Sequence, residues 1–139
     1  MKFKVLWDHE SERPIVNGQV ADRIGSGCDR IVYRFGKYVI KINFYQHYAP
    51  DQNLREWRVW SKVTRRDRKY FAKLYKIGWI KGARYTIQQY VDRKSKRKLP
   101  YQEARKVANK YGVRDLCREN VICGKIVDFG FSEESYWQC

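Results

Sequence analysis

Two pairs of strand-like runs in this sequence are each joined by only two residues. Residues 30–35 and 38–42 flank Gly36-Lys37, and residues 71–80 and 83–91 flank Lys81-Gly82. So short a connection returns the chain beside itself, which makes each pair antiparallel neighbours. The runs are rich in Val, Ile, Tyr, Phe and Trp, which suit a pleated, half-buried surface. Residues 20–24 read as a further strand entering the first pair through Gly25-Ser26-Gly27, and residues 3–7 as a short strand. Residues 8–18 are polar, with Pro14 and Gly18, and read as a loop.

Two helices are expected around these strands. Pro50-Asp51 opens the first, with Asp51 as N-cap and Leu54, Trp57 and Trp60 near helical spacing through Val63. A charged connector, residues 92–98, precedes the second. There Pro100 starts a helix with Ala104, Val107, Ala108 and Tyr111 at i, i+3, i+4 and i+7, and Gly112 stops it. Residues 113–120 form a loop. Val121-Ile122 and Lys125-Ile126-Val127 then bracket Cys123-Gly124 as a small hairpin. The order predicts an α+β fold with an antiparallel sheet. Its length of 139 residues favours one domain, in which residues 1–91 hold most of the strands and residues 92–139 the second helix and the small hairpin.

Composition excludes a disordered chain, since 43% of the residues are hydrophobic and 16% aromatic. The 30 Lys+Arg against 15 Asp+Glu give a net charge of +15, more than solubility needs, and such a field attracts polyanions. Two basic runs stand out: Arg65, Arg66, Arg68 and Lys69 after the first helix, with Lys62 just before, and Arg93, Lys94, Lys96, Arg97 and Lys98 in the connector. They read either as solvated charge or as docking patches for nucleic acid or an acidic protein. Cys28, Cys117, Cys123 and Cys139 contain no C-x-x-C pair and lie far from His9 and His47 in sequence, so a zinc site is not expected. The first residues carry too short an apolar run for a secretory signal, and no stretch approaches the roughly 20 apolar residues of a spanning helix. A cytoplasmic protein with free thiols and no membrane partner is the expectation.

Five short motifs then occur in a telling order. Ile24-Gly25-Ser26-Gly27 resembles the start of a glycine-rich loop, and Val39-Ile40-Lys41 resembles V-A-I-K. Glu56 stands on the following helix. Val113-Arg114-Asp115-Leu116-Cys117-Arg118-Glu119-Asn120 resembles H-R-D-L-x-x-x-N, and Asp128-Phe129-Gly130 resembles D-F-G. Together they resemble the protein-kinase-like family. The resemblance implies a minimal kinase-like fold: an antiparallel N-lobe sheet with one helix, then a reduced C-terminal portion of one helix, catalytic loop and small hairpin. It also implies ATP and magnesium as cofactors. Ile24, Gly25, Ser26 and Gly27 would cradle phosphates, and Lys41, oriented by Glu56, would hold the α/β-phosphates. Asn120 and Asp128 would bind magnesium, Asp115 would orient the acceptor hydroxyl, and the backbone of Gln89, Tyr90 and Val91 would meet the adenine.

Each residue also has an ordinary reading. Lys41 suits a snorkelling side chain on a half-exposed sheet, Glu56 a solvated helix charge, Asp115, Asn120 and Asp128 turn residues, and the two glycines a hairpin tip. The sequence departs from the family at the third loop glycine, whose place falls near Asp29-Arg30, and at the histidine, which is Val113 here. Only nine residues follow Gly130, leaving no activation segment or substrate-binding helices, as in reduced versions carried by viruses and mobile elements. The expected function is ATP-dependent phosphorylation of a protein serine or threonine hydroxyl, with a dimer or partner supplying the acceptor surface. The alternatives are a silent kinase-like module that binds a protein, or a basic nucleic-acid binder.

Overall fold

A computed structural model describes residues 2–26, 30–44, 51–94, 99–113 and 116–129. The chain forms two units, Met1–Asn53 with Leu74–Tyr90, and Leu54–Lys73 with Val91–Cys139. Leu54–Lys73 therefore groups with the C-terminal residues rather than with the strands that flank it in sequence. The architecture is α+β, with antiparallel sheets and two helices.

In the first unit, β1 (Val5–Asp8), β2 (Arg13–Val16) and β3 (Gln19–Val20) make a three-stranded meander. The loop expected over 8–18 thus contains a strand, β2, between two turns. Asp8 turns the chain out of β1 by accepting the amides of Glu10 and Ser11 and the Ser11 hydroxyl. Pro14 lacks a donor but keeps a useful carbonyl, which accepts the Ala21 amide at 2.9 Å. Fully buried Ala21 breaks the run expected at 20–24 into β3 and β4 (Asp22–Ser26).

A five-stranded sheet follows in the order β4-β5-β6-β8-β7, with β5 at Ile31–Phe35, β6 at Tyr38–Asn43, β7 at Leu74–Ile80 and β8 at Ala83–Gln89. The two short connections seen in the sequence are its β5–β6 and β7–β8 hairpins. Lys81 and Gly82 both adopt positive φ, 51° and 73°, the twist that a two-residue hairpin turn requires. One face carries the core: Tyr33, Phe35, Ile40, Ile42, Tyr85 and Ile87 pack with Phe3, Val16 and Ala21 of the meander. That face admits no added bulk at Gly78, where a Cβ would lie 2.7 Å from the Tyr85 hydroxyl oxygen.

The opposite face is polar and yet buried. Lys41, Asn43, Thr86 and Gln88 are each 5% exposed or less. Asn53, at the start of α1 (Gln52–Lys62), organises it. Its Nδ2 donates to the carbonyls of Lys41 and Arg84 at 3.0 and 2.9 Å, while its Oδ1 accepts from the Arg30 guanidinium and the Thr86 hydroxyl at 3.0 and 3.1 Å. Asp51, expected as an N-cap, places its carboxylate on Arg84 Nε at 2.8 Å. The buried stripe of α1 and the residue after it is Asn53, Glu56, Trp60 and Val63, at helical spacing. Leu54 and Trp57, expected to lead the buried face, are only half-buried.

In the second unit, α2 (Tyr101–Lys110) buries Ala104 and Ala108, and its small residues let β10 (Lys125–Ile126) approach. Gly112, at φ 82°, ends the helix, and the Val113 amide returns to the Ala108 carbonyl at 2.9 Å. Asp67 is buried against the end of α2 and accepts the Tyr111 hydroxyl at 2.5 Å and Lys110 Nζ at 2.9 Å. β9 (Val121–Ile122) and β10 close the small hairpin through Cys123-Gly124. A Cβ on Gly124 would fall 2.2 Å from the Leu99 carbonyl oxygen, so no side chain fits there. The expectation of free thiols holds for Cys123, whereas Cys117 is disulfide-bonded. No helix among the described residues is long and apolar enough to cross a membrane.

Two outcomes follow. Asn53→Ala strips partners from two buried carbonyls and a buried guanidinium, and should lower stability by on the order of 3 kcal/mol in urea unfolding; an unchanged midpoint would refute the anchoring role. Hydrogen bonds from Tyr111 and Lys110 hold the Asp67 carboxyl below its ordinary value, and the same contact raises Lys110. Asp67's contribution is complete above the unfolded carboxylate value, about 3.9, and is lost as pH falls through the depressed folded value. Lys110's contribution is lost only as pH rises through its raised value. Asp67→Asn should therefore cost stability at neutral pH and flatten its acid-side decline in pH-dependent melts.

Candidate functional site

The expected site residues divide between the two units. In the first, β4 pairs with β5 around a bulge at Ile24, which leaves that side chain 51% exposed. The bulge puts Gly25 opposite Val32. Val32 in turn faces Lys41 on β6, and Lys41 faces Thr86 on β8. Gly25 and Lys41 therefore share one cross-strand row, two strand spacings or about 10 Å apart. A Cβ on Gly25 would meet nothing within 4 Å, so its backbone is open to approach. Ser26 ends β4, and Gly27 lies outside the described residues.

Lys41 is 5% exposed, so the half-exposed, snorkelling reading does not apply to it. Its carbonyl is fixed by Asn53, as described above. Gln89 ends β8 opposite Tyr38, and the next amide, Tyr90, donates to the Lys37 carbonyl at 2.9 Å. The Arg34 guanidinium lies 3.7 Å above the Tyr90 ring. Val91, at the start of the second unit's last segment, is buried.

The second unit brings together residues far apart in sequence. Glu56 is fully buried, and its Oε2 accepts the backbone amide of Phe129 at 2.8 Å. A solvated helix charge is therefore excluded for Glu56. Phe129 is itself fully buried, edge-on to Phe71 at 5.1 Å, and Phe71 meets Tyr111 at 6.1 Å. The Ala72 amide bonds the Ile126 carbonyl at 2.9 Å, which ties the segment before β7 to β10.

Asn120 closes a 3-10 turn, Arg118–Asn120, and its carbonyl accepts the Val127 amide at 2.8 Å. The hairpin thus sets Asn120 beside Val127, the residue before Asp128, and all three are half-buried. Tyr101 pins the same loop to α2 by donating to the Leu116 carbonyl at 2.9 Å, and the Arg118 guanidinium stacks 4.5 Å from the Tyr101 ring. Asp115, the expected acceptor-orienting residue, lies outside the described residues.

The Asp128 carboxylate and the Asn120 carboxamide, on neighbouring positions of one hairpin, are both hard oxygen donors. Such a pair suits a cation that takes a few protein oxygens and completes its shell with phosphate or water. Among the described residues no group of three or more His, Cys, Asp or Glu could hold a metal by itself. A separate groove of about 560 Å³ in the first unit is lined by Lys2, Phe3, Lys4, Asn17, Tyr75 and Lys76, and contains none of the expected site residues. Sequence reading missed Asn53, whose signal was its place three residues before Glu56 on one helix face, and Phe71, which carried no signal beyond hydrophobicity. The sequence matches no protein-family model and no curated protein.

The Glu56 contact yields a local test. Glu56→Ala leaves the Phe129 amide without its acceptor, so hydrogen exchange there should accelerate at least about tenfold, while Glu56→Gln, which keeps an acceptor oxygen, should retain most protection. Equal exchange in all three proteins would remove the latch.

Proposed function

We propose that this chain is a minimal protein-kinase-like phosphotransferase that moves the γ-phosphoryl group of ATP to a protein hydroxyl. The observation that carries the reading is the meeting of separate motifs in the second unit. The Asp-Phe-Gly segment is held by the carboxylate of Glu56, and the last residue of the Arg-Asp-Leu segment, Asn120, lies beside it. The sheet adds support. Lys41 lies on the third strand of its five-stranded sheet, where kinases carry their phosphate-binding lysine, and shares a row with Gly25.

In this reading Lys41 neutralises the α/β-phosphates, and the open backbone at Gly25 donates to phosphate oxygens. Asp128 and Asn120 would hold magnesium, which would supply positive charge against that of the transferring group. Asp115 accepts the hydrogen bond of the attacking hydroxyl and orients its oxygen in line. The oxygen–phosphorus bond to the acceptor forms as the bond to ADP breaks, and the hydroxyl proton passes to Asp115. The backbone of Gln89–Val91 receives the adenine edge. Glu56 is a positioning residue: it fixes Phe129, and through it the backbone that presents Asp128.

With labelled ATP and Mg²⁺, the protein should phosphorylate itself or a mixed protein substrate. Asp128→Asn should lower the rate by about a hundredfold or more, in the range of losing one strong electrostatic contact in an active site. In thermal melts, Mg·ATP at a hundred times its Kd should add about 2.7 kcal/mol to the wild type and much less to Asp128→Asn. Label that survives in Asp128→Asn, together with equal stabilisation of both proteins, would refute the reading.

A further inference from the structure

The turn after α1 changes character once folded. In sequence, residues 62–69 mix five cations with one acid, Asp67. In the structure Asp67 is turned inward, 7% exposed, and its charge is answered by Tyr111 and Lys110. Arg65, Arg66, Arg68 and Lys69 all remain exposed, so the outward surface of the turn is purely cationic. The same contact docks the end of α2 here. Lys110 keeps a 62% exposed side chain and feels the charge of Arg66, and Lys106, one helical turn back, is 76% exposed and pairs at 3.6 Å with Glu103 on its N-terminal side. Two elements thus merge into one basic surface, all within the second unit.

Some of this surface is already ordered. The Arg68 guanidinium stacks 4.5 Å over the Trp60 ring and its Nε donates to the Val63 carbonyl. Lys125 braces the neighbouring turn by donating to the Lys69 carbonyl at 3.1 Å. Fixed cations lose less entropy on binding. Guanidinium groups also grip phosphate through paired donors better than ammonium groups do.

The surface also lacks what a protein partner would want. Protein interfaces centre on apolar or aromatic anchors. The large hydrophobic side chains exposed among the described residues are Leu6, Ile24, Tyr75 and Trp79, and all four belong to the first unit. A sugar–phosphate backbone needs no such anchor, because counterion release supplies the affinity.

We propose that the surface formed by the 65–69 turn and the C-terminal half of α2 binds nucleic acid through its phosphate backbone, without sequence preference. The proposal is independent of the phosphotransferase reading, and Asp128→Asn should leave the binding unchanged.

The test is fluorescence anisotropy of the full chain with a labelled 20-nucleotide single-stranded RNA and a 20-base-pair DNA duplex, from 50 to 300 mM salt. At least one should bind, with log K falling linearly against log salt. The triple variant Arg65→Ala/Arg66→Ala/Lys69→Ala should bind more than about tenfold more weakly at 100 mM salt and show a slope shallower by about two to three. A control variant, Lys2→Ala/Lys4→Ala/Lys37→Ala, removes the same charge from the first unit and should change affinity less than about twofold. Circular dichroism should show both variants folded. The proposal is overturned if neither probe binds, or if the control loses as much affinity as the triple variant. It is equally overturned if polyglutamate of matched charge competes as well as the oligonucleotide, which would indicate an acidic protein surface instead.

Discussion

One carboxamide does an unusual share of the positioning. Asn53 satisfies two main-chain carbonyls on different strands, a hydroxyl and a guanidinium, using both its donor hydrogens and its acceptor oxygen. Hydrogen bonds of this kind contribute modestly when made and cost far more when one member is removed, because the remaining groups stay buried and dry. The start of α1 is therefore locked to β6 at Lys41 and to β8 at Arg84 and Thr86. Asn53 and Glu56 lie three residues apart on α1 and so share one face of the helix. Glu56, within the second unit, holds the Phe129 backbone.

Much of the sheet could be read from sequence because its determinants are local. A two-residue turn dictates an antiparallel neighbour whatever the rest of the chain does, so both hairpins were legible. The meander was not. Asp8, Ser11 and Pro14 look like loop chemistry, and only the folded chain shows that the Asp8 turn and the Pro14 carbonyl build strands around themselves. The division at Ala21 was hidden for the same reason, since one small buried residue can let a continuous strand-like run serve two sheets.

The helix faces show the opposite difficulty. For α2 the apolar spacing named the buried residues, because alanines pack it against β10. For α1 that logic found Trp60 and Val63 but also pointed at Leu54 and Trp57, while the most buried positions include an asparagine and a glutamate. A hydrophobic pattern cannot find a polar contact that is made across dozens of residues. The candidate site was accordingly legible as separate motifs but not as an assembly. Register placed Gly25 in line with Lys41, and the small hairpin placed Asn120 beside Val127, one residue before Asp128. Asp115 and Gly27 fall outside the described residues.

The second face of the five-stranded sheet carries an energetic cost. Val or Leu in place of Gln88 or Asn43 would remove dehydrated polar atoms from the interior, including an Asn43 carboxamide with no hydrogen-bond partner among the described residues. A face that is hydrophilic and shut away from water at once is where this sheet gives up cohesion that an all-apolar interior would have.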